Sequence, residues 1–189
     1  MNRFEALDLA QQEFAARLAE VSPDQWDAPS VCTDWSVRDL VNHVVAGCQM
    51  SALIARGGSR ENAIALFQGS ALGADPLQQF TAAANDQAAA LRAPGALEAT
   101  VQHPIGDVTG MQLLGFRIGD LTLHSWDLAR SIGADETLNP ALVEAVYEEL
   151  KPMEPIIGSI GVFGDGPSGT LDESAALQDR VLDLSGRRP

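Results

Sequence analysis

The chain has 189 residues, of which 46% are hydrophobic, and its formal net charge at pH 7 is −14. A chain of this length and apolar content can bury a core of its own. Nucleic-acid binding requires clustered basic residues to face the phosphates, and this chain has only 12 Lys and Arg, scattered among 26 Asp and Glu. It also has no apolar run typical of a signal peptide or a membrane span. We therefore expect a soluble, cytoplasmic protein with no nucleic-acid or membrane partner.

Cysteine use agrees with a reducing compartment. The two cysteines, Cys32 and Cys48, are too few for a disulfide framework and lack the C-x-x-C spacing of a zinc or redox motif. They are predicted to be reduced and partly buried.

Two amphipathic helices are predicted in the first third of the chain. Apolar residues recur at helical intervals over residues 3–21, and Pro23 breaks this pattern. Ser36, followed three residues later by Asp39, is a variant of the capping box and predicts the start of a second helix. That helix runs to Gly57-Gly58, and a loop is expected after it.

A third helix is predicted from Pro76, with Asp75 as its N-cap, to the stop at Pro94-Gly95. Its alanine-rich stretch "TAAANDQAAALRA" indicates close helix packing, either within the chain or across the two-fold axis of a homodimer. The segment "ALEATVQHPIGDVTG" that follows predicts an extended strand or an irregular hairpin.

A fourth helix begins at Met111, shows the clearest helical periodicity in the sequence, and ends at Gly133 as its C-cap. A fifth helix is predicted from Asn139-Pro140 to about Leu150, then a Gly- and Pro-rich loop, and a short helix near 174–184. Helices with short connections favour an all-α bundle. We assign residues 1–150 to this bundle and residues 151–189 to a C-terminal loop and short helix that pack on it.

Three residues on two of these helices form a candidate metal site. Asp120 and His124 lie four residues apart on the apolar side of the fourth helix, where an unpaired carboxylate is costly. His43 lies on the inward side of the second helix. Three protein ligands would leave an open position for water or substrate, as in catalytic metal sites. This ligand set suits zinc, and iron or nickel as well.

Other interpretations remain open at this point. The Asp120–His124 pair is also compatible with a local hydrogen bond or ion pair. Asp39 stands four residues before His43, but its place in the first helical turn predicts a capping role. Asp127 could accept a hydrogen bond from His124 or pair with Arg130.

Several further residues near these positions are assigned simpler roles. Trp35 is predicted to staple the preceding loop to the helix start, and Trp126 to pack in the core. His103 is predicted to be a surface or loop histidine. Arg38, Arg117 and Arg130 are the cations available to face the carboxylates of a ligand, and each is equally explained as a surface charge.

The strings "CTDWSVRDLVNHVVAG" and "GDLTLHSWDLARSIG" resemble those of the DinB-like, YfiT-type metal-binding bundles. Within that group the chain most resembles the N-terminal domain of mycothiol-dependent maleylpyruvate isomerases, over roughly residues 4–133. The resemblance implies an up-down-down-up four-helix bundle that holds a divalent metal, usually zinc and sometimes nickel. It carries the ligand roles onto His43 and His124, with Asp120 where the isomerase has a glutamate.

The resemblance also implies a function. Characterised members are thiol-dependent S-transferases or isomerases that use mycothiol, bacillithiol or a related thiol. The first hypothesis is therefore an enzyme that uses a metal to activate such a thiol toward a small electrophile. The alternatives are a non-catalytic binding or regulatory domain stabilised by the metal and, from the ligand set alone, an iron-dependent oxygenase.

Overall fold

The computed structural model describes residues 1–159, 161 and 163–189. Within them lie seven α-helices and one two-stranded antiparallel sheet. The helices are α1 (Arg3–Ala19), α2 (Val37–Ala55), α3 (Arg60–Ala65), α4 (Pro76–Leu91), α5 (Gly110–Ile132), α6 (Pro140–Leu150) and α7 (Leu177–Leu184). The strands are β1 (Thr100–His103) and β2 (Gly106–Thr109). The mostly helical architecture predicted from the sequence is confirmed, and none of the described helices is long and apolar enough to cross a membrane.

The chain divides into two compact units, residues 1–136 and 137–189. In the first unit, α1 packs against α4 and α5, and α2 packs against the same two helices. In the second unit, α6 packs against α7. The division therefore falls before α6, whereas the domain boundary predicted from the sequence lies after it, at residue 150.

Local signals in the sequence set the ends of the long helices. Ser36 and Asp39 form a capping box at the start of α2, and Asp75 caps α4 with Pro76 in its first turn. Gly133 ends α5 in the left-handed conformation, with φ of 72°, which suits a residue without a Cβ. These three predictions are confirmed. The two helices that carry the candidate ligands are thus each fixed at one predicted end.

The structure also differs from the sequence-based expectation. The loop expected after Gly57-Gly58 contains α3, which Ser59 caps by accepting a hydrogen bond from the backbone N–H of Asn62. A helix of six residues shows too little periodicity to stand out in a sequence. The predicted Gly- and Pro-rich loop contains 3-10 turns at Lys151–Met153 and Ile157–Ser159, and its positions 160 and 162 lie outside the described residues.

Close packing within the chain accounts for much of the alanine-rich stretch. Four alanines of α4 are buried, namely Ala83, Ala84, Ala88 and Ala90. Both cysteines are free thiols, Cys32 half-buried and Cys48 buried, as predicted. The homodimer remains a prediction.

Candidate metal site

The structure brings His43, Asp120 and His124 together. One ligand atom from each lies within 4.8 Å of the other two. The Oδ1 atom of Asp120 is 3.5 Å from Nε2 of His43 and 3.7 Å from Nε2 of His124. Because α2 and α5 pack against each other, residues far apart in the sequence present two nitrogens and one oxygen to the same point.

These separations suit a metal ion. Zinc bonds to histidine nitrogen and carboxylate oxygen at about 2.0–2.2 Å, so neighbouring ligands of a tetrahedral ion lie roughly 3.3–3.5 Å apart. The two measured distances are close to this spacing, and a small side-chain adjustment would complete the fit. The donor set itself, two imidazoles and one carboxylate, is one that zinc, nickel and iron accept.

A second carboxylate orients His124. Oδ2 of Asp127, a residue only 1% exposed, lies 2.8 Å from Nδ1 of His124. This contact leaves Nε2 as the ring nitrogen that faces Asp120, which is the arrangement usual for metal-binding histidines. Cys32 joins the same neighbourhood, since its sulfur, His124 and Asp127 form a second group of donor atoms within 4.8 Å of one another. Of the two roles predicted for Asp127, the hydrogen bond to His124 is present.

Asp120 is shared between the candidate site and a buried cation. Its Oδ2 accepts a hydrogen bond of 2.9 Å from Nη1 of Arg117, which is only 4% exposed. Of the two interpretations open for Arg117, the surface charge is therefore wrong. The three-residue spacing between Arg117 and Asp120 on one helix was the sequence signal for this contact.

The charges of the site reinforce one another in the metal-free protein. Burial alone would raise the pKa of Asp120, but Arg117, His124 and His43 together hold it well below its usual range. Burial alone would lower the pKa of His124, but the charge of Asp120 and the hydrogen bonds to Asp127 and Cys32 raise it to about 10. A metal at this site must therefore displace a proton from His124 but none from Asp120.

Aromatic rings surround the histidines. The Trp35 ring lies 4.9 Å from the His43 ring and 6.3 Å from that of His124, measured between centroids. The Phe67 ring also contacts His43, with the two ring centroids 5.4 Å apart. Trp35 thus contacts the candidate site itself, which its predicted stapling role did not include. The side chains of His43 and Asp120 are 30% and 23% exposed, so the site is open to small molecules.

The remaining candidates lie elsewhere. His103 ends β1, is half-buried and packs edge-on against Phe116 with centroids 5.6 Å apart, so it lies at the end of a strand rather than in a loop. It belongs to neither group of donor atoms. Trp126 is 2% exposed and packs in the core, as predicted. Arg38 pairs with Asp27 and Arg130 with Glu136.

Residues 7–129 match the family described as the mycothiol maleylpyruvate isomerase N-terminal domain. The chain belongs to this family. All three candidate ligands lie inside the matched range. Two uncharacterized proteins from different strains of Mycobacterium tuberculosis are each 32% identical to the chain over 154 residues, covering 79% of it and 76% of their own length.

Solved structures show the fold of this mycothiol maleylpyruvate isomerase N-terminal domain family. A crystal structure of a histidine-to-alanine mutant of the mycothiol-dependent maleylpyruvate isomerase superposes with a TM-score of 0.64 at 15% identity. A second crystal structure of the isomerase gives a TM-score of 0.57 at 16% identity. Each match covers 78% of this chain and 68% of the other. At these identities the similarity concerns the fold alone.

Proposed function

We propose that the chain is a metal-dependent enzyme that brings a low-molecular-weight thiol, mycothiol or a relative, to a small electrophile as an S-transferase or isomerase. The observation that carries this proposal is the convergence of Nε2 of His43, Oδ1 of Asp120 and Nε2 of His124 in a chain of the mycothiol maleylpyruvate isomerase N-terminal domain family. Zinc is the metal we propose, and nickel or iron is compatible with the same donors.

The metal would supply one chemical step: a thiol coordinated to a divalent cation loses its proton and becomes a nucleophile at neutral pH. The protein's own residues prepare that chemistry. His43, Asp120 and His124 would bind the cation, and three protein ligands would leave a position for the thiol. Asp127 holds the Nδ1 proton of His124, so the ring keeps its orientation when Nε2 binds.

Two aromatic rings line the candidate site beside His43. Trp35 and Phe67 both contact the His43 ring, and their apolar surfaces would keep water from that side of a bound thiolate. A less hydrated thiolate attacks an electrophilic carbon more readily than a fully solvated one. We propose that the electrophile binds against these rings.

We also propose how the four long helices are arranged. The pairwise packing of α1, α2, α4 and α5 supports a four-helix bundle of up-down-down-up topology, in which two helices present the ligands. The same geometry supports a second candidate function, because a metal bridging α2 and α5 would also stabilise a non-catalytic binding domain.

An activity assay separates the two functions. Zinc-loaded protein is mixed with mycothiol and the fluorogenic electrophile monobromobimane, and the rate is compared with the uncatalysed reaction. The enzyme proposal predicts acceleration by wild type and by His103→Ala but not by His43→Ala. Zinc binding that raises the melting temperature without accelerating transfer or isomerisation for any thiol and electrophile of a panel would favour the binding domain.

A further inference from the structure

Arg117 is held by three helices. Its Nε donates a 2.8 Å hydrogen bond to Oε1 of Gln87 on α4, and its Nη2 lies 3.6 Å from the sulfur of Cys48 on α2. Its Nη1 donates to Oδ2 of Asp120, one turn along α5. A guanidinium that is 4% exposed and bonded on three sides has little freedom to rotate.

The surroundings of Arg117 are shaped for this one position. Gly47 on α2 has no side chain, and a Cβ there would lie 2.5 Å from Nη1 of Arg117. Gln87 is fully buried and its Nε2 has no hydrogen-bond partner among the described residues. Turning the amide over would place Nε2, a donor, against the Nε–H group of Arg117, so only the present orientation gives the guanidinium an acceptor. The chain thus leaves one buried donor unpaired, which is costly, and keeps the guanidinium in place.

The consequence falls on Asp120. Its Oδ2 is occupied by Arg117, whereas its Oδ1 faces both histidines at 3.5 and 3.7 Å. A carboxylate held in this way can give a metal one oxygen but not two. With two imidazoles, the protein then supplies three ligand atoms rather than four, so an ion that prefers six ligands must hold one more water than it would with a bidentate carboxylate.

We propose that Arg117 is a positioning residue that confines Asp120 to coordination through Oδ1 and thereby selects a four-coordinate cation such as Zn²⁺ over a six-coordinate one such as Ni²⁺. This inference rests on the metal site of the proposed function. It concerns selectivity, which is the difference between two affinities. The repulsion between Arg117 and the ion is the same for two divalent cations and cancels from that difference.

The test measures the Kd of Zn²⁺ and of Ni²⁺ by competition with a chelating dye, and the visible spectrum of the Co²⁺ form. The variants are Arg117→Gln, Arg117→Lys, which restores a donor to Asp120, and the matched control Arg130→Gln on the same helix. Gln87→Leu is a further variant, because it loosens the guanidinium and leaves Arg117 and Asp120 intact. Circular dichroism of the metal-free proteins verifies that each variant folds.

We expect Arg117→Gln to lower the ratio of the Ni²⁺ Kd to the Zn²⁺ Kd about tenfold, because the freed Oδ2 of Asp120 can then bind the ion together with Oδ1. A tenfold change in this ratio corresponds to about 1.4 kcal/mol. Its Co²⁺ bands should lose the high intensity of a four-coordinate ion. Arg117→Lys should recover both properties in part, and Arg130→Gln should match wild type.

A folded Arg117→Gln protein with the wild-type ratio and spectrum would overturn the inference. If that variant does not fold, Gln87→Leu decides in its place, with a smaller change expected and wild-type values overturning the proposal. Failure of the wild type to bind either metal would instead overturn the metal site of the proposed function, and this inference with it. The two failures are therefore distinguishable.

Discussion

Oδ2 of Asp127 lies 2.8 Å from Nδ1 of His124, three residues away on α5. The contact fixes how the histidine can act. With Nδ1 donating to a buried carboxylate, Nε2 is the nitrogen that faces Oδ1 of Asp120, and metal binding replaces the Nε2 proton alone. Asp127 thus determines which ring nitrogen of His124 is available to bind a metal, although Asp127 itself is not a proposed ligand.

The first prediction concerns this contact. Asp127→Asn keeps the size of the side chain and an oxygen acceptor but removes the charge that holds the His124 ring. We expect the Zn²⁺ Kd to rise about 10- to 100-fold, measured by competition with a chelating dye. Asp86→Asn, which changes an exposed carboxylate on α4, should leave the Kd unchanged. An unchanged Kd in Asp127→Asn would show that this hydrogen bond does not support metal binding.

The second prediction concerns pH in the metal-free protein. The pKa of His124 is raised to about 10, whereas an unfolded histidine titrates near 6.5. Its contribution to stability is therefore fully present below about pH 6.5 and is lost as the pH rises toward 10. We expect the free energy of unfolding to fall on the order of 1–3 kcal/mol across this window, measured by urea denaturation.

Asp120 makes the stability depend on pH in the opposite direction, at acidic pH. Its folded pKa is lowered, so its contribution is present above the unfolded value of about 3.9 and is lost as the pH falls through the folded one. His124→Gln should remove most of the alkaline dependence. A wild-type stability that is flat between pH 6.5 and 10 would contradict the charged state assigned to His124.

The third prediction concerns the helix that carries His43. Ser36→Ala removes the N-cap of α2, where the hydroxyl accepts from the backbone N–H of Asp39. We expect a loss of about 1 kcal/mol in the free energy of unfolding. Thr33→Ala, in the exposed loop before the helix, is the control and should change it little. Equal losses in the two variants would show that the cap is not responsible.

Much of the fold was predictable because its signals are local. The ends of α2, α4 and α5 follow from a cap or a terminal glycine that acts within a few residues. The short α3 was not predictable in the same way, since a helix of one or two turns shows little periodicity. The division before α6 was not predictable either, because long-range contacts decide which unit a helix joins. The small sheet falls in the segment where an extended strand or hairpin was expected.

Some residues of the candidate site were likewise predictable from local signals, and others were not. His43, Asp120 and His124 stand on the inward faces of strongly periodic helices, so their convergence could be predicted. The burial of Arg117 could not, because it depends on Gly47 and Gln87, which belong to two other helices. The contact of Trp35 with the histidines was not predictable either, because Trp35 lies in a loop, whose path a helical or strand periodicity does not reveal.

Elemental analysis of protein purified without an affinity tag tests whether His43, Asp120 and His124 hold a metal. Wild type is compared with His43→Ala, His124→Ala, Asp120→Asn and His103→Ala. We expect about one divalent metal per chain in wild type and His103→Ala, its loss in both other histidine variants, and weakened retention in Asp120→Asn. Wild type without metal even after incubation with zinc, or metal retained in His43→Ala and His124→Ala, would contradict the site and the function built on it.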